Sequence, residues 1–93
     1  MTRLLLKSTA FVRTTKRVVK KNPKLANHIQ MTLELLSEDA FHPSLKTHQL
    51  KGNLDGSWAC SVAYDLRIIF EFVDYSGNEA ILLEAIGTHD EVY

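Results

Sequence analysis

The chain has 93 residues, 45% of them hydrophobic and 24% charged, which suits one domain over residues 1–93 with a modest core. Apolar runs of only a few residues exclude a membrane-spanning helix or a signal-peptide core, and the single Cys60 excludes an internal disulfide framework, so a cytoplasmic protein is expected. The net charge of zero hides a split: residues 1–30 carry eight bases and no acid, and residues 31–93 carry the other three bases and all eleven acids.

In chain order, residues 3–8, "RLLLKS", read as a short strand, and Ser8 or Thr9 supplies a hydroxyl to cap the helix that follows. In that helix Phe11, Thr15, Val18 and Val19 fall near one face, while Arg13, Lys16, Arg17, Lys20 and Lys21 cover much of the remainder. So many positive charges without an interspersed acid predict a surface for a polyanion. Asn22-Pro23 marks a stop and a new start, with asparagine as cap and proline at the first helical position. Leu25, Ile29, Leu33 and Leu36 then form an amphipathic stripe running to about Ser37. Two helices joined this tightly predict an antiparallel hairpin.

Residues 38–47 read as a connecting loop, with Pro43 forcing extended backbone before it. The period then changes to two. "THQLKG" reads as a short strand, "NLDG" as a turn, and "SWACSVAY" and "LRIIFEFV" as strands rich in aromatic and β-branched residues. Gly77-Asn78 marks a hairpin loop, and "AILLEAIG" is the last strand. The order β-α-α-β-β-β predicts an α+β fold, an N-terminal helical hairpin packed on a twisted antiparallel sheet, with the first strand at an edge or beside the last. Alternation places Trp58, Cys60, Val62 and Tyr64, then Leu66, Ile68, Phe70 and Phe72, beneath the helices. Ala59, Ser61, Ala63, Arg67 and Ile69 are left on an open face, as a shallow groove with Asp65 at its rim in a tight turn.

His28, His42, His48 and His89 lack the i, i+4 pairing of a helical metal site, so no metal and no cofactor is expected. Cys60 lies in the apolar row and reads as a core filler. The sheet is expected to gather His48, Asp65, Arg67, His89 and Tyr93. Two histidines can share proton donation and acceptance near neutral pH, and an arginine fork can hold a phosphate. Such a set suits cleavage of RNA by its own 2′-hydroxyl, with Tyr93 stacking on a base.

These residues also carry a resemblance. "HQLKG" before the third strand, Asp65 in the turn before the fourth, Arg67 at its start, and "GTHDEVY" at the end resemble the RelE/ParE superfamily of toxins, and within it the YafQ-like mRNA interferases. The resemblance implies an endoribonuclease acting on mRNA in the ribosomal A site, and a cognate antitoxin whose acidic or amphipathic segment covers the basic face or the groove in a hetero-oligomer. It implies His89 as general acid, His48 as base with Asp65 orienting it or acting in its place, and Arg67 on the phosphate. Arg13, Lys16, Arg17, Lys20 and Lys21 would contact ribosomal RNA, with Lys51 and Ser61 as further RNA contacts. Ser61 stands where YafQ-like toxins tend to carry a histidine. Two other outcomes stay open on the same fold: a ParE-like inhibitor of DNA gyrase, and an inactive homologue that binds only the antitoxin.

Overall fold

The computed structural model describes residues 2–93. Strand β1 (Leu4–Lys7) leads into helices α1 (Thr9–Lys21) and α2 (Leu25–Glu38). Strands β2 (His48–Gln49), β3 (Trp58–Ala63), β4 (Leu66–Tyr75) and β5 (Asn78–Thr88) follow, and helix α3 (His89–Val92) ends the chain. The sheet order is β1-β5-β4-β3-β2. As expected, β1 lies at an edge beside the last strand. It runs parallel to β5, however, so the sheet is mixed and only its other three pairings are antiparallel. The α1–α2 hairpin carries the chain from β1 to β2 at the far edge, and β2, β3 and β4 bring it back to β5 beside β1.

Ser8 caps α1 as the sequence suggests, its hydroxyl accepting from the Phe11 amide at 3.0 Å. Phe11 and Val18, two turns apart, are buried against the sheet. The Thr14 hydroxyl accepts from the Ile86 amide at 3.1 Å and ties α1 to β5. The second start differs from the expectation. Asn22 closes α1 through its own amide, which donates to the Val18 carbonyl, and α2 begins only at Leu25 with no side-chain cap. A turn at Pro23 and Lys24 takes up the two residues between. Ile29 and Leu36 bury the stripe of α2 as read, while Leu25 and Leu33 pack at its margin.

The main core lies between the helices and one face of the sheet, where Cys60, Ile68, Phe70, Ile81, Leu83 and Ile86 are fully buried. The face assignment fails at the end of β3. Pairing slips by one residue between Ser61 and Ala63, a bulge that turns Ala63 toward the core. Tyr64 passes into the turn and is 101% exposed, so it is no part of the core row. The opposite face is also less open than the alternation implies. Ala59 and Ile69 are buried there under Leu50, Leu54 and Val92, because the β2–β3 loop and α3 fold across them. Only the Ser61–Arg67 end of the groove remains accessible.

Candidate active site

The "HQLKG" segment divides its work residue by residue. His48 pairs with Ala59 of β3 and keeps its side chain exposed. Its Nδ1 lies 2.9 Å from the Lys46 carbonyl, which can only accept, so in the neutral ring the proton belongs on Nδ1 and the lone pair on Nε2. Leu50 plugs the small cluster with Ala59 and Ile69. Lys51 stays exposed, and Gly52 takes a φ of 72°, which favours glycine there.

The tail is built around Gly87. A Cβ at this position would lie 3.1 Å from Glu91 Cβ, Glu91 Oε1 and Val92 Cγ1, so α3 sits directly on the strand that precedes it. Thr88 and Glu91 close the turn, the Thr88 amide donating to Glu91 Oε1 at 2.9 Å. Val92 packs on the Leu50 cluster. Arg17 of α1 meets Glu91 at 3.5 Å, which brings the basic helix to the edge of the tail. The Thr88 amide above all, with Arg17 and Lys21, holds the Glu91 carboxyl below the usual range.

Asp65 occupies the β3–β4 turn with φ of 57°, a left-handed conformation that aspartate tolerates better than most residues. The carboxylate accepts from the His89 amide at 3.4 Å. Its hydrogen bond therefore anchors the tail and does not orient His48. Arg67 lies opposite Ser61 on one side and Gly87 on the other. Its Nη1 donates to the Leu66 carbonyl at 3.4 Å, leaving most of the fork free.

A cavity of about 400 Å³ joins His48, Lys51, His89 and Tyr93, with Leu50, Asn53 and Leu54 in its wall. The His89 and Tyr93 rings meet edge to face with centroids 4.5 Å apart. His89 Nδ1 is 3.7 Å from an Asp90 carboxylate oxygen, which leaves Nε2 as its outward nitrogen. Burial pushes the Tyr93 phenol up and outweighs the nearby Arg67 charge, so the ring is a neutral hydrogen-bond donor at physiological pH. Asp65, Arg67 and Ser61 line a second, adjoining cavity of about 490 Å³. Of the two cavities Arg67 lines only this one, and its charge is felt at the Tyr93 phenol. The five basic residues of α1 are exposed on the helix rather than within either cavity. Sequence reasoning missed Lys46, Tyr64 and the supporting Gly87. Burial pushes the Cys60 thiol up to about 12, as suits a core filler.

Comparison with known proteins fits this architecture. A family model described as the bacterial toxin of type II toxin–antitoxin system, YafQ, matches residues 4–93. The chain belongs to the YafQ toxin family. It is thus a toxin of a type II toxin–antitoxin system. Among solved structures, YafQ from E. coli strain BL21(DE3) matches with a TM-score of 0.80 at 22% identity, covering 98% of each chain. A chain of the E. coli DinJ–YafQ toxin–antitoxin complex matches with a TM-score of 0.78 at 22% identity, covering 100% of this chain and 99% of that one. A YoeB/ParE toxin from Agrobacterium tumefaciens reaches 0.76 at 13% identity, covering 92% of this chain and 98% of its own. At such identities these likenesses concern the fold. No curated protein matches the sequence.

Proposed function

We propose that this YafQ-family toxin is an endoribonuclease that cuts mRNA in the ribosomal A site by metal-free acid–base chemistry. The observation that carries this reading is the meeting of His48 with His89 and Tyr93 across one cleft, from segments some forty residues apart in sequence. His48 Nε2, its tautomer set by the Lys46 carbonyl, takes the proton of a 2′-hydroxyl. The 2′-oxygen attacks the adjacent phosphorus and the bond to the 5′-oxygen breaks. His89 in its imidazolium form gives its Nε2 proton to that oxygen, leaving a 2′,3′-cyclic phosphate and a 5′-hydroxyl. Arg67 offers a charged fork to the non-bridging oxygens, where negative charge builds up. Tyr93 packs against the nucleotide at the cut, and Ser61 adds a hydroxyl on the phosphate side. Asp65 is a positioning residue that holds His89 through its backbone.

The exposed Arg13, Lys16, Arg17, Lys20 and Lys21 form the contact to ribosomal RNA, with Lys51 beside the cleft. Such contacts make binding salt-dependent, each neutralised phosphate adding about 0.7–0.9 to the slope. An antitoxin binds this toxin, by analogy with the DinJ–YafQ complex, and the charge of α1 favours an acidic or amphipathic segment laid over the basic helix or the groove. Action on ribosomes places the protein in the cytoplasm.

Induction in a bacterial host with 5′-end mapping of transcripts tests the proposal. Codon-linked cleavage is expected from the wild type, and none from His48→Ala or His89→Ala. An SOS response with intact mRNA would replace this reading with gyrase inhibition. Neither effect would leave antitoxin binding alone.

A further inference from the structure

The cavity beside Arg67 holds more than the chemistry above uses. Its walls include Ser44, Lys46, Ser61, Tyr64, Asp65 and Arg67. Tyr64 stands at its rim with 101% of its surface in water. The bulge at the end of β3 diverts this ring from the core row, so it contributes no packing to the fold. Lys46 has φ of 52°, a left-handed conformation that costs a non-glycine residue on the order of 1–3 kcal/mol and tends to accompany functional sites. The same residue presents its carbonyl to His48 Nδ1 at 2.9 Å. Lys46 thus touches both this cavity and His48 of the cleft.

The charges in this cavity are two cations, Lys46 and Arg67, and one anion, Asp65, whose carboxylate is already engaged by the His89 amide. An anion between the two cations, attached to a flat ring that can lie on Tyr64, is a nucleotide. Aromatic rings take bases of any sequence because every base has a π-face.

We propose that this cavity is a second nucleotide subsite for single-stranded RNA, in which Tyr64 stacks on the base that adjoins the dinucleotide at the cut and Lys46 holds the phosphate linking the two, next to the Arg67 that serves the scissile phosphate. The proposal rests on the nuclease reading for the identity of the strand, and it adds Tyr64 and Lys46 to the residues that recognise it.

The test uses the full chain, fluorescence anisotropy and two fluorescein-labelled 2′-O-methyl RNAs that cannot be cut, a hexamer and a dinucleotide. Tyr64→Ser should weaken hexamer binding by about five- to a hundredfold, the range found for loss of one stacked base. Tyr64→Phe and Tyr64→Trp should bind as the wild type does. Lys46→Gln should weaken the hexamer and flatten its salt slope by about 0.7. The dinucleotide, which fills only the His48–His89 cleft, should not respond to Tyr64→Ser. Equal hexamer affinity for wild type and Tyr64→Ser, or no hexamer binding by the wild type, overturns the subsite. The nuclease reading fails separately: a wild type that binds the hexamer through Tyr64 but cuts no mRNA keeps the subsite and loses the cleavage.

Discussion

Replacing Gly87 with alanine should separate folding from activity. The new methyl would lie 3.1 Å from Glu91 Cβ and Val92 Cγ1, where carbon atoms prefer about 3.5–4.0 Å, so α3 must retreat by roughly half an ångström. Overpacking of this kind costs about 1–3 kcal/mol. What holds α3 down is of the same size. Val92 is half-buried on the Leu50 cluster, worth about 1 kcal/mol, and the bond from the His89 amide to Asp65 adds about 1 kcal/mol. A cost of about 2 kcal/mol makes docked and undocked tails roughly equal in population, and about 3 leaves the docked form near a sixth. Population alone then lowers turnover about two- to sixfold. Displacement of His89 within the docked fraction brings the expected loss to about tenfold.

The global fold should persist but lose about 1 kcal/mol, the lost docking less what the alanine returns. Gly87 lies in strand backbone that any residue adopts, and alanine there restricts the unfolded chain, which favours folding by about 0.4–1 kcal/mol. The expected result is a melting temperature lowered by a few degrees, with the fold retained, together with weak cleavage of ribosome-bound mRNA. The His89 and Tyr93 ring resonances should shift as their edge-to-face contact opens. Wild-type cleavage with unshifted rings would refute the reasoning. So would a fall of several degrees in Tm with the tail unchanged, which would give Gly87 a role in the sheet instead.

Three further outcomes are expected. Asp65→Asn keeps both an acceptor for the His89 amide and a residue that tolerates φ of 57°, so cleavage should fall only a few-fold. If Asp65 were the general base, asparagine would cost about 10²–10⁴ in single-turnover rate. The raised thiol of Cys60, from 9.0 to about 12, makes the protein lose stability as pH rises through that window, because the unfolded chain releases the proton first. The full effect is about 4 kcal/mol, and Cys60→Ala should flatten denaturant midpoints measured between pH 9 and 11. Thr15 Oγ1 is buried without a hydrogen-bond partner among the described residues, so Thr15→Val should raise the denaturation midpoint, by up to about 1 kcal/mol in stability.

Much of the fold was legible because its signals are local. Helical stripes and the Ser8 cap follow from spacing and residue type, and the hairpin turn read at Gly77-Asn78 lies one residue earlier, at Ser76-Gly77. The failures arise where a neighbour decides. A bulge after Ser61 cannot be seen in alternation, because it changes the register against β4 rather than the pattern within β3. Asn22 looked like a helix cap, yet its amide was needed to finish α1. The parallel pairing of β1 follows from how the helical hairpin crosses the sheet, which composition does not reveal. Helix α3 is too short for periodicity, although Thr88 and Glu91 carry the spacing of a capping box and offered a signal.

The candidate site was legible in a different way. Its ionisable residues stand out by type, but what holds them does not, since at three critical points a backbone group does the holding. The Lys46 carbonyl sets the His48 tautomer, and the His89 amide is the group that Asp65 grips. The bare backbone of Gly87 lets Val92 descend onto the sheet. A side chain suited to proton transfer stands out in sequence by its type, whereas the residue that positions it looks like any loop lysine or strand glycine. This is why Asp65 is easily read as a base. An acid near two histidines suggests proton transfer, whereas its hydrogen bond from the His89 amide needs only an acceptor, and Asp65→Asn tells the two roles apart. On the proposed reading Lys46 and Gly87 would act as positioning residues, with smaller effects than the histidines, since neither touches the bond that breaks.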